Sequence, residues 1–408
     1  RHTRSCLKSR GLGDVYKRQV LSFATTLTIP IAGHFLLEQN TSPYKGLSTM
    51  LNTPDASLVA HATSPLSVLQ AVSSPTVRYA PGLSLNFTGE IPEQISIFSD
   101  GDQLGVMTHT GSNLEFLDYM TTTLPYHILP RDFSALVLGA GGGMEVLSAL
   151  HHGAGQVVAV EMDRQVVRLV DDVFSSFTGG LYSRPIVRVE VSEARRFVET
   201  TTEQFDLISV ALLDSFLSSA SGVHAASESY LYTVEAMAAC RDRLKPGGVL
   251  AITRWIKTPP RDVLRLFNTL VEVARETSVE AAGRHLAGIR SWSTATLLLK
   301  NTSFTNRDIE SIRAFCTDRS FDLIWHQGLV LSETNRFHVL SEPYYAEAAR
   351  RLLSNERRSF VRAYPFRIDP ATDNRPYFFH FFRWRTLLSF IRELGLSWIP
   401  FVEWGYLV

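Results

Sequence analysis

Apolar and polar positions alternate along this chain in two registers, and the change between them divides it. From residue 40 to about 130 the apolar runs are short and alternate with polar positions, as in Gln94-Ile-Ser-Ile-Phe98. Pro81-Gly82, Asp100-Gly101 and Thr110-Gly111 interrupt them, the pattern of a small β-rich domain with hairpin turns. A helix is predicted over Asn113–Thr123, stopped before Pro125. From 131 the strand-like runs become mostly continuous: Ala135–Leu138, Val157–Val160, Phe205–Leu213, the segment after Lys245-Pro-Gly-Gly248, and Thr294–Leu299, with Pro185–Val191 a further strand. Uninterrupted apolar strands separated by helical stretches belong to a parallel sheet covered on both faces. Further on, Asn306–Thr317 and Glu342–Leu353 read as helices, the second with Tyr344, Ala348, Leu352 and Leu353 on its apolar stripe.

The most informative segment is Phe133–Glu161, in which a strand, the turn Gly139-Ala-Gly-Gly-Gly143, a helix from Met144 to His152 and a second strand ending on Glu161 follow in order. This is the layout of a nucleotide site at the mouth of a parallel sheet, where glycines let the backbone approach the ligand and the acid suits two ribose hydroxyls. A dinucleotide fingerprint would need a third glycine where Met144 stands. Gly139, Gly141 and Gly143 instead form G-x-G-x-G, which looks like the turn of S-adenosylmethionine enzymes. In that comparison Glu161 and Met162 take the ribose side, and Glu193-Ala194 resembles the acid-small pair that reads the adenine amino group. Asp214 ends the fourth strand, so three acids stand at the carboxyl ends of consecutive strands, the edge where ligands bind.

Forty basic and forty acidic side chains cancel over 408 residues, and no basic block stands out, which argues against nucleic acid as a partner. Cys6, Cys240 and Cys316 have no metal-ligand spacing, so neither a zinc site nor a disulfide framework is expected, and no metal is called for. Residues 1–19 read as translated adapter sequence and are set aside. An uncharged apolar stretch fills 20–37, within a segment 20–39 that reads as the remnant of a membrane span or, equally, as a strand pair. Residues 386–408, with Trp398 and Trp404, read as the start of a truncated membrane region. The remaining expected divisions are a β-rich domain at 40–130, a nucleoside-binding core at 131–300 and a helical extension at 301–385.

A β-rich segment ahead of such a core resembles the spermidine synthases, and more closely the membrane-associated spermidine-synthase-like proteins of bacteria. The matching segments are Ser42-Pro-Tyr-Lys-Gly-Leu-Ser48, Ser96-Ile-Phe-Ser-Asp-Gly-Asp102, Leu213-Asp-Ser-Phe, Ser227-Glu-Ser-Tyr-Leu-Tyr-Thr233, Leu244-Lys-Pro-Gly-Gly248 and Thr372-Asp-Asn-Arg-Pro-Tyr-Phe-Phe379. The resemblance implies a doubly wound, mostly parallel seven-stranded Rossmann-like sheet of the class I methyltransferase type. It implies S-adenosylmethionine or its decarboxylated form as substrate, with an aminopropyl group passed to a small amine or other small acceptor. Asp214 would be the catalytic acid, and Tyr119, Glu228 and Tyr230 would bind the acceptor. It also implies a bacterial inner-membrane location with the soluble module on the cytoplasmic side, membrane contact through the flanking segments, and a homodimer as an open alternative. Two departures stand out. The family's second acid on the fourth-strand loop falls on Leu217, and its glycine turn carries an Asp that Gly139–Gly143 lacks. Methyl transfer on the same fold, or a non-catalytic nucleoside-binding domain of a membrane transporter or sensor, therefore stay open as alternatives.

Overall fold

The computed structural model describes residues 42–210, 212, 228–277 and 281–386, together with 17, 19, 20, 22, 23 and 26. Two compact units are present, Arg1–Lys45 and Gly46–Val408. In the first, the described residues between 17 and 26 are helical, and the Thr26 hydroxyl donates to the Ser22 carbonyl at 2.7 Å.

The second unit carries two sheets. Strands β1 (Ser57–Thr63), β2 (Val68–Ser73), β3 (Gln94–Ser99) and β4 (Asp102–Thr108) form an antiparallel sheet in sequence order. Asp100 and Gly101 join β3 to β4 with φ of 50° and 80°, the left-handed pair that a tight hairpin requires. The larger sheet comprises β5 (Ser134–Leu138), β6 (Gln156–Glu161), β7 (Val187–Val191), β8 (Phe205–Val210), β9 (Leu244–Trp255), β10 (Leu286–Arg290), β11 (Thr294–Lys300) and β12 (Asp322–Trp325). Its order is β12-β10-β11-β9-β8-β5-β6-β7; β7 to β9 pair in parallel through β6, β5 and β8, and the β9-β11-β10-β12 edge is antiparallel.

Alternation along the central strands feeds two cores. Leu136 and Leu138 of β5 and Val158 and Val160 of β6 point into one, shared with the helix Asp262–Thr277 and the carboxyl-terminal segment through Phe378. Ala135, Val137, Val157 and Ala159 point into the other, which they share with Ile95, Ile97 and Met107 of the smaller sheet. The β-rich domain thus lies on one face of the large sheet, and strand β4 comes against the turn after β5.

Several expectations change. The sheet has eight strands rather than seven, with β12 pairing beyond β10 at its antiparallel edge. Since β12 completes this sheet, the core runs past residue 300 and the segment 301–385 is not wholly helical. In place of a helix over Asn113–Thr123 there are two 3-10 segments, Glu115–Tyr119 and Thr121–His127, the second containing Pro125. A proline lacks the N–H that a continuing α-helix needs, so short turns replace it. Helix Tyr344–Leu352 buries Tyr345, Ala348, Ala349 and Leu352 and leaves Tyr344 exposed, a stripe shifted by one residue. Tyr345 goes inward because its hydroxyl finds the Lys257 carbonyl at 3.1 Å. Of the three expected hairpin turns only Asp100-Gly101 joins paired strands; the β1–β2 turn closes at Ser64–Ser67. Among the described residues no helix is long and apolar enough to cross a membrane. Most of 20–39 and all of 387–408 lie outside the described residues.

Arg265, on the inner face of helix Asp262–Thr277, fastens the carboxyl-terminal segment. Its guanidinium donates to the carbonyls of Asp369, Tyr377, Phe378 and His380 at 2.9, 2.9, 2.7 and 2.8 Å, and the residue is 4% exposed. Arg265→Met should leave those carbonyls without their donor and lower unfolding stability by about 3 kcal/mol. Urea denaturation followed by circular dichroism checks this, and a loss within experimental scatter would show that the segment is held otherwise.

Candidate functional site

At the end of β5 the chain turns through Gly139, Gly141 and Gly143 with φ of 80°, 51° and 92°. The amides of Gly139 and Ala140 donate to the Val160 carbonyl at 2.9 and 3.0 Å, so the turn is tied to the neighbouring strand β6. Two positions admit no side chain. A Cβ on Gly142 would lie 2.2 Å from the Val106 carbonyl oxygen of β4, and one on Gly143 would lie 2.4 Å from Leu181 Cδ2. The Tyr182 hydroxyl donates to the Gly141 carbonyl at 2.7 Å and fixes the turn from beneath.

Glu161, the last residue of β6, is 8% exposed. Its Oε2 accepts the Gly141 amide and its Oε1 the Asp163 amide, both at 2.9 Å. Burial raises its pKa, the Asp163, Gly141 and Met162 amides oppose that, and the Asp163 charge adds to the rise. Each carboxylate oxygen keeps a lone pair for a further donor, as two vicinal hydroxyls would supply. Met162 is exposed beside it. Asp163 caps the next helix through Gln165 N at 2.8 Å and also accepts the Ser64 hydroxyl at 2.7 Å.

Glu193 follows β7 and caps helix Ala194–Thr200, with Oε1 accepting Arg195 N at 2.9 Å and Oε2 accepting Arg196 N at 2.8 Å. Ala194 packs against the core. Glu193 shares an open cleft with Glu228, Tyr230 and Asp373. Across it, Arg195 makes a bidentate pair with Asp373 (2.5 and 2.6 Å), and Thr233 donates to the same carboxylate at 2.8 Å. The Tyr230 hydroxyl pKa is raised, first by its hydrogen bond to Glu228. The structure therefore brings Glu193, Glu228 and Tyr230 together. It does not bring Tyr119 with them. That ring lies 5.2 Å from Phe87 and under the Arg319 guanidinium at 5.4 Å. Asp214 and Leu217 lie outside the described residues; β8 ends at Val210.

A second, narrow cleft lies between the glycine turn and the smaller sheet. Tyr79, Leu104, Val106, Thr122, Leu212 and Glu145 line it along with Gly139–Gly142. Glu145 stands in the first turn of helix Met144–His151, is 8% exposed, and is reached by the Ser209 hydroxyl at 3.4 Å. Burial pushes its pKa up to about 7, with the Ser209 hydrogen bond acting weakly in the other direction. Sequence reading missed Glu145. The available signal was an acid two residues past a glycine turn, followed by Val146, Leu147, Ser148 and Ala149, all buried. A charge in so apolar a run has a reason to be there.

One further cluster has metal-ligand geometry among the described residues. Donor atoms of Asp118, His151 and His152 lie within 4.8 Å of one another. Its short contact, Asp118 Oδ1 to His152 Nε2 at 2.8 Å, ties the first 3-10 segment to the end of helix Met144–His151 and pulls the Asp118 pKa down to about 2.

Such a site at the carboxyl edge of a mostly parallel sheet, with an antiparallel extension on one side, defines a class I methyltransferase-like fold. The chain matches the spermine/spermidine synthase domain over residues 116–259. Similar curated proteins include the polyamine aminopropyltransferase of Nitrosomonas europaea, 32% identical over 119 residues that make up 29% of this chain and 34% of that protein. Polyamine aminopropyltransferase 1 of Pseudomonas aeruginosa is 29% identical over 36% of this chain and 48% of its own length. For the Korarchaeum cryptofilum enzyme the figures are 26%, 28% and 33%. The chain thus spans about a third to a half of the length of these relatives. Among solved structures, spermidine synthase from Thermotoga maritima aligns with a TM-score of 0.43 at 14% identity, covering 74% of this chain and 86% of that one.

The isolated Glu145 carboxylate makes stability depend on pH. Its folded pKa lies above the unfolded value of 4.5, so the folded chain holds the proton more tightly and stability falls as pH rises from about 4.5 through about 7. Comparing urea denaturation at pH 5 and pH 8, wild type should lose up to about 3 kcal/mol more than Glu145→Gln. An identical pH dependence in the two would show that the carboxylate is hydrated or paired.

Proposed function

We propose that this chain is an aminopropyltransferase: it binds decarboxylated S-adenosylmethionine across the Gly139–Gly143 turn and passes the aminopropyl group to a small amine. The observation that carries the reading is Glu161, held at the strand end by the Gly141 and Asp163 amides with lone pairs left for the ribose hydroxyls. It stands inside a segment that matches the spermine/spermidine synthase domain. The names of the similar proteins, polyamine aminopropyltransferases, support the choice of reaction.

In this reaction the acceptor nitrogen attacks the aminopropyl carbon bonded to the sulfonium. A C–N bond forms, the C–S bond breaks, and its electron pair stays on sulfur, which leaves as neutral methylthioadenosine. The new secondary amine then sheds one proton. The protein's part is to hold nucleophile and sulfonium in line and to accept that proton. In this reading Glu193 and Ala194 flank the adenine, Glu228 and Tyr230 face the acceptor, and Asp214, the acid that follows β8 in the sequence, is the candidate to accept the proton.

Incubating the protein with decarboxylated S-adenosylmethionine and a panel of diamines should release methylthioadenosine in step with an aminopropylated product. Methylated product from S-adenosylmethionine, with no methylthioadenosine release, would replace this reading with methyl transfer. Glu161→Ala should weaken methylthioadenosine binding by about 1.5–3 kcal/mol, the worth of a hydrogen bond to a charged group. Unchanged affinity by calorimetry would remove Glu161 from the ribose site.

A further inference from the structure

Helix Met144–His151 begins at the glycine turn and ends, about 12 Å away, on two consecutive histidines. Successive side chains on a helix diverge by about 100°. His152 lies past the last turn, with φ of −87° and ψ of 6°, and there both rings come to the same carboxylate. His152 Nε2 is 2.8 Å from Asp118 Oδ1, and His151 Nε2 is 3.8 Å from Asp118 Oδ2. Arg319 donates to the main-chain carbonyl of Asp118 and lies over the Tyr119 and Phe315 rings, while the two side-chain oxygens face the histidines.

The His152 ring is already oriented. Its Nδ1 lies 2.7 Å from the Ser148 carbonyl, which can only accept, so Nδ1 carries the hydrogen. Tyr126 stacks on the same ring at 4.3 Å with 13° between the planes. In the neutral ring Nε2 then presents a lone pair to Asp118 Oδ1, and two acceptors 2.8 Å apart need a cation between them. A proton on Nε2 would serve that pair alone and gives no reason for the second oxygen to face a second imidazole. A metal ion serves all three groups, whose donor atoms lie within 4.8 Å of one another. Ligands about 2.1 Å from a tetrahedral zinc ion stand about 3.4 Å apart. The 2.8 and 3.8 Å contacts bracket that separation. A histidine that binds a metal through one nitrogen commonly donates the other N–H to a main-chain carbonyl, as His152 does. The carboxyl end of the helix, with its partial negative charge, also favours a cation here.

We propose that Asp118, His151 and His152 form a binding site for a divalent transition-metal ion of the zinc class, with water completing the coordination on the exposed side. Two imidazoles and one carboxylate suit zinc, whereas calcium and magnesium take oxygen ligands. The site stands at the far end of the helix from the glycine turn, so its ion does not touch a ligand held over that turn. Its part is to clip the segment Glu115–Tyr119 to the helix. Met120 and Thr122, which follow that segment directly, line the cleft above Gly139–Gly142. The clip thereby steadies one wall of the cleft, and the proposal is independent of which reaction the chain performs.

The test is titration of the full chain, first stripped with a chelator, with zinc chloride in competition with a chromophoric chelator at pH 7.5. Wild type should bind zinc saturably at this site, and cobalt(II) in its place should show the d–d bands of a four-coordinate ion. His151→Ala, at an exposed position, and Asp118→Asn, which keeps the shape, should each weaken zinc binding at least about tenfold and lose the cobalt bands. His61→Ala, a change at an exposed histidine of β1, should bind as wild type does. Zinc should raise the melting temperature of wild type and leave that of His151→Ala unchanged. Equal zinc binding in wild type, His151→Ala and Asp118→Asn would assign the ion to other surface groups and overturn the site. Absence of saturable binding to wild type would overturn it too and leave Asp118 and His152 as a pair bridged by a proton. Neither result bears on Glu161, whose role the methylthioadenosine titration tests separately.

Discussion

A Cβ on residue 142 would sit 2.2 Å from the Val106 carbonyl oxygen, so strand β4 and the turn after β5 can meet only where that side chain is missing. Much of the site follows from this contact. It brings the smaller sheet over the mouth of the larger one and closes one wall of the Glu145 cleft with Leu104 and Val106. It also leaves the Gly141 amide free to reach Glu161. A residue with a side chain at 142 would part the two sheets or tilt the turn, and either change would disturb the strand-end acid and the cleft together.

Charge is arranged unevenly around that contact. On the carboxyl-terminal side the ions are matched: Arg195 with Asp373, Arg265 with four carbonyls, Arg357 with Glu272. Those pairs link helix Ala194–Thr200, the Tyr230–Tyr232 turn and the Thr372–Phe379 segment, and they give that half of the molecule fixed geometry. On the turn side, Glu161 has backbone amides and Glu145 a single hydroxyl. Negative charge on the turn side is thus met by amide and hydroxyl dipoles rather than by cations.

The strong signals in the sequence were those set by local chemistry. Continuous apolar runs gave β5, β6, β8 and β11 because strands buried on both faces cannot alternate. The glycine turn and Glu161 were legible because the backbone geometry they require is confined to a few residues. Strands β10 and β12 were not, since short antiparallel strands beside helices carry no distinct period. The Tyr345 stripe escaped for a tertiary reason, a carbonyl on another segment. Glu145 and Asp373 belong to the same class: neither has a sequence neighbour that explains it. Only the fold sets one under the smaller sheet and the other against Arg195. Tyr119 ends a 3-10 segment rather than a helix, and its ring packs with Phe87 and Arg319 apart from Glu228 and Tyr230.

The most direct measurement is a crystal structure of the chain with decarboxylated S-adenosylmethionine bound. Both ribose hydroxyls should lie within hydrogen-bond distance of the Glu161 carboxylate. A ribose seated away from Glu161 would contradict the account.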